Sequence, residues 1–473
     1  MMQCGMDESI LAVIMSFFYK NEVSEFMRKY LSGLMYSAII LAFFSWDYSI
    51  YLQLALASLT IFGLIWGVAR ADIRFDVIIQ PYSIMMLLLV IWSFTSIFWV
   101  ADRTSWIISN GILTVTLIYG ISLSCLIREK LFRQHLSLVI IGIMIVHHVI
   151  GWFEVLTNQQ YGSAERWSFD WLRQLRNPML FFGNINDFAL LCFFGLIFMM
   201  CWHPLDDKLR DMDGKYFSGF RTFENYSKTK TLALVSFKLL MTVSSLLLIY
   251  FANARGILFA AAYAMVFYLI LHIKSAWLRR IVILFLGFIC LVTILMVYTD
   301  ILDALWQDGS FVIRYNLIRN GWHHLKGSHY LGVGAGNTEY YMEHFNYYYT
   351  GGYRVMHNWW MGMLVEYGVP FFILYGLYHA RVFLYAYYLA VKYDSQTGKW
   401  VATWLLGFIV AGFIPNTLFN FVWFWFIHNF VFVWFEYRLS TMELTDRALG
   451  FEFKLNYKLN QFSEWLERKL VKE

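Results

Sequence analysis

Charge is scarce in this chain. Aspartate, glutamate, lysine and arginine supply 15% of its 473 residues, whereas 59% are hydrophobic and 20% aromatic. Soluble domains carry about 25% charged residues, so this chain cannot cover itself with polar surface in water, which excludes a water-soluble globular protein. Cysteine is also sparse. Cys4, Cys125, Cys192, Cys201 and Cys290 are the whole set, and none falls in a segment expected outside the cell, so no disulfide framework is implied. No cleavable signal is expected from residues 10–19, which are apolar but short and follow Asp7 and Glu8 where a signal would be basic. An interfacial helix suits that stretch better. There is no internal repeat and no low-complexity tract. The net charge of +5 says little by itself and gives no nucleic-acid partner.

Long uncharged runs are what the chain does have. Residues 54–69, 77–100, 106–127 and 136–156 each approach or reach the ~20 apolar residues a helix needs to cross a bilayer. The runs are continuous rather than alternating, which argues against a barrel, and backbone in lipid must satisfy its own hydrogen bonds, so helices are expected. The fold class is therefore all-α: a polytopic membrane protein of about 12 transmembrane helices with a large, partly helical extracytoplasmic loop. The expected spans are 31–45, 50–69, 77–99, 106–127, 135–156, 179–202, 231–251, 255–273, 279–298, 357–380, 400–415 and 419–437.

With the N-terminus in the cytoplasm, 27 of the 37 lysines and arginines fall inside and nine outside, with Lys238 near an inner helix end. Positive charge stays inside, so both termini are expected to be cytoplasmic. Nine spans then precede residue 299, which puts 299–356 on the extracytoplasmic side. The expected organisation is a bundle of about nine spans at 1–298, the loop at 299–356, three spans at 357–437, and a cytoplasmic amphipathic tail at 438–473, where Phe451, Leu455, Leu459, Phe462 and Leu466 alternate with charge. The 203–230 segment is polar and reads as a cytoplasmic connector. The loop is far longer than usual connections. Its aromatic residues, among them Trp306, Trp322, Tyr340, Tyr341 and Tyr347–Tyr349, are too many for a solvated linker.

Polar groups gather at this face. Arg255 opens the eighth span, Arg314 and Arg319 lie in the loop, and His357 opens the tenth span. Guanidinium binds phosphate oxygens in a two-pronged geometry, so the set suggests an anionic ligand such as a lipid-linked diphosphate. Taken singly, each arginine has the simpler role of pairing with a headgroup or a nearby acid. His357 titrates near neutrality and is the natural candidate base, although a lone histidine is as readily structural. His323, His324, His329 and His344 also lie here and raise a metal site, but no His-Glu-x-x-His pattern or carboxylate cluster supports one. Glu366 lies nine residues after His357, about 13 Å along a regular helix and on its opposite side, so packing or a helix–helix hydrogen bond is its expected role. Arg319 and His323 are spaced as helix neighbours. The glycines of 332–336 lack the Lys-Ser/Thr of a phosphate loop and read as a tight turn. His147 and His148 fall within the fifth span and are expected to be buried and hydrogen-bonded.

Arg314, Trp322, the 331–336 glycine run, His357-Asn358 and Glu366-Tyr-Gly368, together with Phe182-Gly-Asn-Ile-Asn186-Asp-Phe-Ala189 and Asn253-Ala-Arg255-Gly256 upstream, resemble the signature patches of the O-antigen ligase and polymerase superfamily (the Wzy/WaaL type). The resemblance spreads over about 180–370, and order and spacing carry it rather than any single patch. It implies a membrane glycosyltransferase that polymerises undecaprenyl-diphosphate-linked oligosaccharide units for a surface polysaccharide, without metal or other cofactor and with inversion. By the same resemblance Arg255, Arg314 and, more weakly, Arg319 bind the donor diphosphate. His357 activates the acceptor hydroxyl. The aromatic loop, with Trp322, Tyr340 and Tyr341, meets sugars. The implied partners are the lipid-linked glycan donor, a glycan acceptor, the bilayer, and a flippase and chain-length regulator of the same pathway. A ligase acting on a final acceptor is the alternative, and a transporter of lipid-linked sugars the rival. Asn-Ala-Arg-Gly replaces the commoner Ser-Arg-Gly, and the loop's second half is unusually rich in tyrosine.

Overall fold

The computed structural model describes residues 25–44, 49–69, 73, 79–157, 159, 178–182, 184–201, 228–296, 309–413 and 421–440. Among these there are fourteen α-helices, two short 3-10 helices and no strand. The helices are α1 Glu25–Phe44, α2 Ser49–Ala69, α3 Pro81–Thr95, α4 Arg103–Leu126, α5 Lys130–Thr157, α6 Ile185–Cys201, α7 Lys228–Phe251, α8 Arg255–Leu271, α9 Ala276–Met296, α10 Gly309–Gly327, α11 Thr338–His344, α12 Trp359–Tyr393, α13 Gln396–Ala411 and α14 Val422–Ser440. This is a polytopic, all-α membrane protein. Each expected span has a helix at its position. Six of the described helices are long and apolar enough to cross a membrane, and α6 and α8 are shorter apolar helices.

The largest boundary difference is at the end of α12. The tenth span was expected to end at 380, but α12 runs on to Tyr393. Arg381, read as a loop cation, instead sits within the helix, 5.7 and 5.9 Å from the ring centres of Tyr378 and Tyr385. The helix ends where Asp394 takes a left-handed conformation and Ser395 caps α13 by accepting from Gly398 N. Lys399, buried in α13, pairs with Asp394. The expected helix at 10–19, the 203–227 part of the connector, Trp306, Cys4 and the tail beyond 440 lie outside the described residues.

The described residues fall into two compact units. The first takes those within Met1–Leu87, Thr114–Leu136 and His428–Glu473. It is tied by polar contacts between helices: Tyr119 donates to Gln53 Oε1 (2.7 Å), Gln53 to Ala38 O, and Tyr82 to Asn429 Oδ1 (2.6 Å), while Asn429 donates to Thr116 O. Without water as a competitor, such bonds fix helix register. The second unit, Leu88–Leu113 and Ser137–Ile427, packs α6 on α7 and α13 on both α8 and α12. As the sequence led one to expect, His147 and His148 are buried, and His148 Nε2 lies 2.9 Å from Ser245 Oγ on α7.

The loop is folded where it is described. Leu317 of α10, Val333, Met342 of α11 and Met356 form a buried cluster with Met361 and Val365 of α12. A segment with its own apolar core seated on a membrane helix is a rigid part of the protein, not a tether.

Candidate functional site

The glycine run is a turn, and what it grips explains its composition. Gly332, Gly334 and Gly336 have φ of 89°, 99° and 70°, conformations that residues with a Cβ avoid. A Cβ on Gly332 would overlap the carbonyl oxygen of Glu366. The turn lies against a break in α12 at Gly368, where φ is 76° and ψ 175°. The break leaves helix groups without their usual partners, since Pro370 has no N–H to give the carbonyl of residue 366. The turn supplies them: Val333 N donates to Val365 O (2.8 Å), Gly334 N to Glu366 O (3.1 Å), and Val369 N to Tyr330 O (2.9 Å). Trp92 Nε1 donates to Tyr367 O, and Trp99 Nε1 to Gly332 O. Non-helical backbone survives in a membrane protein when protein groups satisfy it, and here they do so residue by residue.

Glu366 holds the same joint. It is buried, and its Oε2 accepts from Gly336 N at 3.0 Å. Thr338, the first residue of α11, also hydrogen-bonds the carboxylate, so a loop amide joins the helix–helix bond anticipated from spacing. Asn337, fully buried, continues the anchorage by accepting from Asp102 N (2.7 Å) and donating to Asp102 O. Glu366→Ala should cost about 1–3 kcal/mol through the orphaned amide, and Glu366→Gln, which keeps an accepting oxygen, should cost less. Thermal unfolding of the two variants in lipid nanodiscs checks this order.

His357 sits where the folded loop meets α12. It has a left-handed φ of 49°, strain that the surroundings must impose. They are rigid. Asn358 caps α12 by accepting from Met361 N (3.0 Å), and Trp359 N donates to Gly412 O at the end of α13 (2.7 Å). Trp359 itself is buried against Phe424 and Trp425. The His357 ring meets Tyr353 edge-on at 5.6 Å, and its buried Nδ1 has no hydrogen-bond partner among the described residues. Burial, and secondarily the Arg314 guanidinium, push its pKa down to about 4. His357 is therefore neutral at pH 7, with a ring nitrogen able to accept a proton, beside a fixed positive charge.

A folded-state pKa below the usual 6.5 means that the unfolded chain takes up this proton first as pH falls. The stability contributed is present above the unfolded value and is lost between pH 6.5 and about 4. Melting in nanodiscs should therefore show wild type losing more stability than His357→Asn between pH 7 and pH 4.5.

The remaining candidates separate. Arg314, on α10, is brought within electrostatic reach of His357. Arg255 opens α8 behind Asn253, which has a left-handed φ of 52°, and its side chain is exposed. Among the described residues no contact joins it to His357 or Arg314. Arg319 lies 3.6 Å over the Tyr348 ring. Trp322 meets Tyr330 edge-on and Lys326 over its face, and Tyr340 stacks on His344 at 4.4 Å and adjoins Tyr341. Spacing alone missed the break at Gly368 and the clamps around it, although a Gly-x-Pro within an apolar run was a usable signal.

Next to His357 an apolar groove of about 620 Å³ runs between α12 and α13. Asn358, Trp360 and Met361 lie at one end with Ile318, one turn of α10 beyond Arg314, and Phe372, His379 and Phe383 lie further along α12. A guanidinium and a neutral imidazole near one end of an apolar groove suit a ligand with an anionic head and a long hydrocarbon tail.

Residues 240–376 match the family model for O-antigen ligase, a range that includes Arg255, Arg314, His357 and Glu366. The teichuronic acid biosynthesis protein TuaE of Bacillus subtilis (strain 168) is 24% identical over 413 residues, spanning 82% of this chain and 78% of the relative. Both comparisons support the resemblance read from the sequence: part of the chain is similar to the O-antigen ligase family, and most of it is similar to a protein of surface-polymer biosynthesis.

Proposed function

We propose that the protein polymerises lipid-diphosphate-linked oligosaccharide units at the outer face of the cytoplasmic membrane. The observation that carries this reading is the Arg314–His357 pair beside the apolar groove that begins at Asn358. The groove takes the polyprenyl tail, and Arg314 with Arg255 holds the diphosphate. His357 accepts the proton of the acceptor hydroxyl. That oxygen bonds to the anomeric carbon from the side opposite the diphosphate, the glycosidic C–O bond to the diphosphate breaks with its electron pair leaving on phosphate, and configuration inverts. The guanidinium stabilises charge that grows on the leaving group, so no metal is needed. In this reading the segment 299–356 is extracytoplasmic, between the spans of 1–298 and those of 357–437, and both termini are cytoplasmic. The relative's role, teichuronic acid biosynthesis, suits a surface-polymer product.

The test is incubation of the protein in nanodiscs with an undecaprenyl-diphosphate oligosaccharide, followed by gel analysis. A ladder supports a polymerase. A single transfer to an added second acceptor makes it a ligase, and absence of any transfer overturns both. Arg314 also sets a pH signature. Removing its positive charge raises the His357 pKa, so Arg314→Gln should move the acid limb of the transfer profile to higher pH while slowing donor use. An unmoved limb would separate Arg314 from the base.

A further inference from the structure

Arg319 does not join the Arg314–His357 pair. Its guanidinium lies 3.6 Å over the Tyr348 ring and 5.6 Å from that of Tyr315, and its side chain is exposed. The sequence between 309 and 356 has two acids, Glu339 and Glu343. Glu343 pairs with Arg354 at 2.9 Å, and the same Arg354 charge acts on Glu339. No carboxylate among the described residues faces Arg319. A guanidinium stacked on rings keeps its N–H edge for a planar, two-pronged acceptor.

The platform beneath it is built. Asn320, fully buried on α10, accepts from Tyr347 N (3.0 Å) and Tyr348 N (2.9 Å) and donates to Tyr348 O (2.9 Å). Asn316 donates to Tyr349 O at 2.8 Å. Two asparagines thus lace the tyrosine strip to one face of α10. The strip holds its shape while Tyr347 and Tyr349 stay 67% and 81% exposed. His323, one turn beyond Arg319, stacks on Tyr347 at 4.7 Å, and its Nε2 lies 3.3 Å from the Tyr348 hydroxyl. Exposed ring faces of this kind pack against the C–H faces of sugars. A guanidinium among them, with no carboxylate partner among the described residues, suits one from the ligand.

We propose that Arg319, Tyr347, Tyr348 and His323 form a subsite for an acidic sugar of the glycan, with the sugar carboxylate bridged by Arg319 and its ring seated on the tyrosine strip. This rests on the glycan-transfer reading but removes Arg319 from the diphosphate-binding set. It also gives the unusual tyrosine content of the loop a use, in the choice of glycan rather than in bond breaking.

Binding, which needs no turnover, tests it. The full chain in nanodiscs of zwitterionic lipid is titrated with a hexuronic-acid trisaccharide, with its carboxyl-reduced counterpart and with inorganic diphosphate. Wild type should bind the acidic trisaccharide at least about tenfold more tightly than the reduced one. Arg319→Gln should lose that preference, Arg319→Lys should keep only part of it, and Tyr348→Leu should weaken both sugars. Binding is read without turnover, so a failed transfer reaction and a failed subsite remain distinguishable. Equal binding of the two sugars by wild type, binding of neither, or an undiminished preference in Arg319→Gln overturns the proposal. Displacement of the acidic sugar by diphosphate, or by anionic lipid added to the discs, also overturns it, since the anion site would then serve a phosphate.

Discussion

Replacing His357 by asparagine should reduce glycan transfer by about 10²- to 10⁴-fold, the range a positioned base contributes, while leaving the protein folded and inserted. Asparagine is the informative choice because it tolerates the left-handed conformation that His357 adopts at φ 49°. It therefore removes the base without adding backbone strain. Gel analysis of product formed from purified lipid-linked donor measures the effect, and melting above pH 7 confirms the fold. Full-length polymer from this variant would sink the catalytic assignment. Physical coherence comes from the ring's setting. Burial and Arg314 keep His357 neutral, so it stands ready to accept a proton at any physiological pH. An intrinsically low pKa makes a weak base, but a bound diphosphate adds negative charge beside Arg314 and raises it. Base strength then grows when donor is present, which limits proton uptake in the empty site.

The largest loss of stability is expected from Gly368→Ala. At φ 76° an alanine costs about 1–2 kcal/mol from conformation alone. Its Cβ would also overlap the carbonyl carbon of Leu331 and crowd Tyr330 O. These are backbone atoms held by the reciprocal bonds between the turn and α12, so they cannot swing aside as a side chain would. Adding the usual penalty for overpacking brings the cost to roughly 2–5 kcal/mol. Protease sensitivity of the 309–356 segment in nanodiscs should rise with it, since this joint fastens the loop to the membrane helix. Gly142→Ala, within α5 and with nothing near its Cβ position, is the control and should be neutral. Equal behaviour of the two variants would show that the break in α12 is not the fastening point.

Much of this was legible in the chain. Helices had to form because lipid leaves the backbone no other partners, and the uncharged runs marked each of them to within a few residues, α12 excepted. Its end was misplaced because Arg381 looked like a loop cation. Charge alone cannot reveal that a guanidinium lies along tyrosine rings on a helix that continues. His357 and Arg314 were legible as residue types suited to the chemistry, but their proximity was not. The two are 43 positions apart in the numbering, and only the folding of α10 onto α12 through Leu317, Met356 and Val365 brings them together. Glu366 was read on the premise of a regular helix beginning at His357. The helix begins at Trp359 and breaks at Gly368, and its acid meets a loop amide as well as Thr338 of α11.

The long segment beginning at 299 marks the division. Composition determined that the chain lives in a membrane, that its elements are helices and that this aromatic segment must fold, because burial and hydrogen-bond satisfaction act on every residue regardless of partner. Tertiary structure decided which cation stands beside the base and which lies over a tyrosine. Arg314 and Arg319 are five residues apart on one helix and equal in the sequence, but the turn at 332–336 and the strip laced by Asn316 and Asn320 come from elsewhere in the chain. Those neighbours give one guanidinium to His357 and the other to Tyr348, a distinction set by packing among distant residues that no local pattern encodes.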